Sequence, residues 1–156
     1  MKIVRAMKKI ARLKGEIKDL KNRMELCLNT QQENEFDEDY NHLKDRLFIK
    51  IKEMIYLKAM IMKANVTLGM FPIIVNLGEL KSYMDYLKEL DPKVGKRSNS
   101  RYSDESSIFK SQLSVRIKND EIINCQKMIN ELTDKLDEFN AITDIEEDKI
   151  DIELFK

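Results

Sequence analysis

Apolar residues recur along most of this chain in alternating steps of three and four. Over residues 2–28 the series is Ile3, Ala6, Ile10, Leu13, Ile17, Leu20, Met24 and Cys27, with no polar interruption. That spacing puts every member on one stripe of a helix and is an a/d heptad seam. Gly15 lies off the seam, where it costs about 1 kcal/mol of helix propensity and no packing. The flanking positions Lys2, Lys9, Lys14, Lys21 and Arg23 are basic. They require acidic neighbours across the seam.

A polar stretch, residues 29–36, reads as a loop. Asp37, Glu38 and Asp39 then suit the positive end of a second helix, expected over residues 37–65. Tyr40, Leu43, Leu47, Met54, Leu57, Ile61 and Ala64 keep the heptad, while Lys50 breaks it and Ile51 fills in. Ile55, Met60 and Met62 widen the stripe, which predicts burial on more than one side. Residues 66–75 depart from the pattern. Gly69 and Pro72 punctuate them, and residues 73–75 read as a short extended piece. Asn76 with Glu79 three residues on resembles a capping box and predicts a third helix over 77–90, stopped at Asp91-Pro92. Residues 91–107 read as a long loop. Phe109, Leu113, Val115 and Ile117 alternate with polar residues, which predicts a strand over 108–117. A last helix is expected over 119–141, with Ile122, Cys125, Ile129, Leu132, Leu136 and Phe139 at heptad spacing.

The expected fold is therefore all-α in the main. It is an antiparallel helical bundle or coiled coil of four helices, with a small β element near 73–75 and 108–117. Residues 1–142 read as a single domain and 143–156 as a peripheral acidic tail. Few breakers (4 Gly, 2 Pro) agree with long helices.

Charge adds an asymmetry. The chain is neutral overall, with 28 basic and 28 acidic residues. Residues 1–28 hold nine Lys/Arg against three Asp/Glu, a net +6, and residues 119–156 hold four Lys against twelve acids, a net −8. Opposed ends favour antiparallel or head-to-tail packing and argue against nucleic acid as the main partner. No run of apolar residues reaches the roughly 18 that a membrane span needs. The start of the chain is broken by charge, so a cytoplasmic location, or one within a phage particle, is expected.

Candidate chemistry is sparse. Cys27 and Cys125 fall at seam positions and read as buried thiols, with no Cys-x-x-Cys and a lone His42 to join them. His42 has no acid–base partner by spacing. Ser107-Ile108-Phe109-Lys110 matches Ser-x-x-Lys without that motif's companions. No catalytic group, cofactor or metal site is expected, and the chain reads as a non-enzyme. Helix one is basic and amphipathic, but its narrow seam without Trp or Phe fits helix packing better than a membrane surface. Lys93, Lys96, Arg97, Arg101 and Tyr102 form a basic loop that would grip phosphates and stack bases. It is the basis of the alternative reading, a nucleic-acid or anion binder.

Three stretches resemble a group of small helical bacterial and phage-borne proteins, some labelled septicolysin-like. They are Met62-Lys63-Ala64-Asn65-Val66-Thr67 closing a long helix, residues 97–103 (RSNSRYS) before a strand-like piece, and a last heptad helix ending near Asn140. With the helix order, the resemblance spans about residues 3–145. It implies helical architecture and self-association, lends no established reaction, and does not by itself imply pore formation. It also implies that Asn65, Arg101 and Tyr102 form a polar cluster holding the long loop. The apolar residues 70–75 and the acidic tail depart from the group.

The function expected from the sequence is a self-assembling structural or adaptor protein in a phage-related context, without a catalytic step. Its seam would be Ile3, Ile10, Leu13, Ile17, Leu20, Met24, Ile122, Ile129, Leu132 and Leu136. A homo-oligomer is expected, a dimer first, with a further protein partner open.

Overall fold

In the computed structural model the heptad stretches are helices, and the chain is mainly α. The structure describes residues 1–29, 35–36, 38–98 and 106–145. The order is α1 (Ile3–Leu26), α2 (Tyr40–Thr67), α3 (Phe71–Glu89), β1 (Gly95–Ser98), β2 (Ser106–Phe109) and α4 (Val115–Ile142). The chain divides into two compact units. One comprises Met1–Met70 with the chain from Glu138 onward. The other is Phe71–Asp137.

In the first unit α1 and α2 form an antiparallel hairpin. Ile3, Ala6 and Leu13 pack with Leu57 and Met60, and Ile17, Leu20 and Cys27 pack with Leu43 and Leu47. Fully burying a side chain such as Leu43 is worth about 1.5–3 kcal/mol. Asp39 is the N-cap of α2, its Oδ1 accepting from the His42 backbone N–H at 2.7 Å. At the other end Gly69 takes φ +73°. The Gly69 N–H donates to the Val66 carbonyl at 3.3 Å and the Met70 N–H to the Asn65 carbonyl at 2.8 Å. That is a Schellman motif, with glycine at the left-handed position.

The same unit ties the two ends of the described chain together. The Ile3 N–H donates to the Thr143 carbonyl at 3.0 Å and the Ile145 N–H to the Met1 carbonyl at 2.8 Å. Ile145 is buried with Ile3 and Ala6. The expected peripheral tail therefore does not begin at residue 143. Residues 146–156 lie outside the described part.

In the second unit α3 starts at Phe71, ahead of the expected Leu77. Pro72 is its second residue, where a missing N–H breaks no helical bond. Residues 73–75 are therefore helical and not extended. A short apolar run cannot by itself tell strand from helix. Asn76 and Glu79 lie inside the helix and cap nothing. The β element lies elsewhere: β1 pairs antiparallel with β2, Gly95 opposite Phe109, Lys96 opposite Ile108 and Arg97 opposite Ser107. The strand expected over 108–117 ends at Phe109, because Ser114 caps α4, its Oγ accepting from the Ile117 N–H at 3.1 Å. Leu77, Met84 and Leu87 of α3 then pack with Cys125 and Ile129 of α4. Lys118 Nζ donates to the Leu90 carbonyl at 2.8 Å, satisfying an acceptor at the end of α3.

Candidate interaction surfaces

The ten seam positions are used within the chain. Ile3, Leu13, Ile17 and Leu20 are buried against α2, and Ile10 and Met24 pack beside them. Ile129 is buried in the α3–α4 cluster, with Ile122, Leu132 and Leu136 packed onto it. Each seam found a partner helix in the same unit.

Cross-seam ion pairs meet the charge requirement. Lys9 Nζ lies 2.6 Å from Glu53 Oε1 and Lys50 Nζ 2.7 Å from Glu16 Oε2. The heptad break at Lys50 is thus a reach across to α1, and the hydrogen bond to Glu16 holds the Lys50 pKa above its ordinary value. Arg23 grips Glu38 with both nitrogens, Nε to Oε2 at 2.8 Å and Nη2 to Oε1. That hydrogen bond raises the Arg23 pKa and lowers that of Glu38. Lys2 Nζ lies 2.7 Å from Asp144 Oδ2, which lowers the Asp144 pKa. Lys14 and Lys21 are exposed. The Lys2–Asp144 pair, 142 residues apart, left no signal in sequence spacing.

Apolar surface remains uncovered. On α2, Met62, Val66 and Leu68, which is the C-cap residue, are 50%, 57% and 55% exposed. Half-buried Ile55 and Ala59 precede Met62 and Val66 at the same three-and-four spacing. Of the three residues expected to widen the buried stripe, Met60 is buried, Ile55 half-buried and Met62 exposed, and the Ile55–Val66 stripe lies off the face that α1 covers. In the second unit Val94 and Ile108 are 62% and 77% exposed.

The structure places part of the basic loop on the β1–β2 pair. Lys93 Nζ sits 5.7 Å from the centre of the Phe109 ring, a cation–π contact. Lys96 and Arg97 are β1 residues. Arg101 and Tyr102 lie outside the described residues, and with them most of the polar cluster that the resemblance implied. Asn65, its third member, is 8% exposed, and its Oδ1 has no hydrogen-bond partner among the described residues.

Cys27 and Cys125 are buried free thiols in separate clusters. An open crevice of about 440 Å³ is lined by Met60, Lys63, Ala64, Thr67, Leu68 and Asp144. Its lining is mainly aliphatic, and its carboxylate is held by Lys2. Among the described residues no group of three or more His, Cys, Asp or Glu is placed to hold a metal ion, and no single helix is long and apolar enough to cross a membrane. Comparison with protein-family models, curated proteins and solved structures gives no match for this chain.

Proposed function

We propose that this protein is a self-assembling helical scaffold or adaptor that works by association, with no chemical step of its own. The observation that carries the reading is the outer side of α2. Its apolar positions continue at heptad spacing after α1 has been satisfied, and its last turns leave Met62 and Val66 half exposed. Contiguous apolar surface of this kind marks an association site. A second copy presents the same side, so a two-fold dimer covers both at once. The septicolysin-like resemblance, with its phage-borne members, supports the same reading and supplies the phage context.

The test is a Met62→Lys, Val66→Lys double variant compared with the unaltered chain by sedimentation. Both positions are exposed, so the melting temperature should hold while the mass falls toward the monomer value of 18.4 kDa. A variant that associates as strongly as the original would refute this use of α2.

A further inference from the structure

Helix α1 carries more positive charge than its own stability favours. No acid stands in its first turn, and its N-cap Lys2 makes no side-chain cap. The first acid of the chain is Glu16, and Lys2, Arg5, Lys8, Lys9, Arg12 and Lys14 precede it. Cations at the positive end of a helix dipole are unfavourable. Arg5–Lys8, Lys8–Arg12, Lys14–Lys18 and Lys18–Lys21 are like-charge neighbours three or four residues apart, which weakens a helix further. Local preferences are broken in this way at functional surfaces.

Three cations of this region have acids: Lys2 with Asp144, Lys9 with Glu53 and Arg23 with Glu38. Arg5, Lys8, Arg12, Lys14, Lys18 and Lys21 are exposed, and none of these six has an ion-pair partner among the described residues. The acids of the helix do not cancel them. Glu16 is taken by Lys50, Asp19 lies 3.8 Å from Arg23, and Glu25 is exposed in the last turn. Residues 146–156 carry five acids and two lysines, a net −3 (2 − 5), which is half of what six cations need. Lys8, Ala11 and Gly15 run along the line of α1 farthest from the buried seam, with Arg5 and Arg12 on one side of it and Lys14, Lys18 and Lys21 on the other. A Cβ at Gly15 would meet nothing within 4 Å, so the middle of this face is open.

We propose that this face of α1 binds the phosphate backbone of a nucleic-acid duplex without reading its sequence. From Arg5 to Lys21 the helix rises about 24 Å at 1.5 Å per residue, the length of about seven base pairs. Cations along that length release counterions from a dense row of phosphates, and the forked guanidinium groups of Arg5 and Arg12 suit phosphate oxygens. Protein and lipid surfaces are poorer occupants. Between Lys8 and Glu25 no large hydrophobic side chain of α1 is exposed, and both would need an apolar anchor there. The chain is neutral as a whole, so the attraction is local to this helix. The inference goes beyond self-assembly and does not rest on it.

Fluorescence anisotropy of a labelled duplex of about 20 base pairs, titrated with the full chain, tests it. The chain should bind at about 50 mM salt and release the duplex as salt rises. Arg5→Gln, Lys8→Gln and Arg12→Gln together should weaken binding at least about tenfold and reduce the salt slope by about 2.7. Lys81→Gln, Lys127→Gln and Lys135→Gln, at exposed positions of α3 and α4, change the net charge equally and should leave the affinity within about twofold. The α1 variant should melt no lower than the original, because it removes like-charge pairs. No binding at low salt would overturn the proposal, as would equal losses from the two triples or a lower melting temperature for the α1 variant. Uptake of anionic lipid vesicles or of polyglutamate, lost in the α1 variant, by a chain that leaves the duplex free would overturn it in favour of a lipid surface or an acidic protein. Duplex binding of the expected kind by a chain that sediments as a monomer would sustain it and refute self-assembly alone.

Discussion

Asn65 closes the last turn of α2 with its backbone carbonyl bonded to Met70 and its side-chain oxygen buried without a partner among the described residues. An unsatisfied buried polar group costs about 1–3 kcal/mol, while an apolar residue of similar shape avoids that cost. Asn65→Leu should therefore raise stability by about 1 kcal/mol, read as a higher urea midpoint at unchanged slope. Loss of stability instead would mean that the amide has a partner. The ion pairs make a pH prediction. Glu38 and Asp144 are held below the usual carboxylate range by Arg23 and Lys2. A depressed folded pKa contributes stability above the unfolded value, about 4 for these side chains, and that contribution is lost as pH falls through the folded value. Thermal melts from about pH 6 to about pH 2.5 should fall on the acid side, and Glu38→Gln with Asp144→Asn should flatten that fall. Of these residues, the sequence singled out Arg23 and Lys2 as cations in need of acids. It could not say which acids, because pairing across a seam depends on the register of two helices.

At the scale of elements, all four helices were legible because heptad spacing over many turns is a strong local signal. Their ends were less so. α2 begins at Tyr40 behind its cap Asp39, where residue 37 was expected, and α4 at Val115 behind Ser114, where residue 119 was expected. Several residues of similar capping preference compete, and only the fold selects one. The start of α3 was missed because Pro72 was read as a breaker when it occupies the first turn. The stop of α2 has a clear physical cause in Gly69. A Cβ there would meet nothing within 4 Å, so the cost of replacement is conformational alone. Gly69→Ala should destabilise by about 1–2 kcal/mol, and Gly69→Asn by less, since Asn tolerates the left-handed region. Equal effects in denaturant melts would contradict that assignment.

At the scale of the molecule, the sequence showed more apolar stripe than one helix can hide, and the structure shows which stripes the chain hides for itself. The α1 and α4 seams are closed within their own units. Their use in assembly could not be judged from spacing, which gives the face of a helix but not its neighbour. The division into two units was equally invisible, since α2 and α3 are separated only by Leu68, Gly69 and Met70. Among the described residues the outer side of α2 remains uncovered, and assembly is the central claim of the proposed function. Sedimentation equilibrium of the full chain, run across the micromolar range, tests it most directly. The weight-average mass should rise with concentration from 18.4 kDa toward twice that value. A mass fixed at the monomer value over the whole range would contradict it.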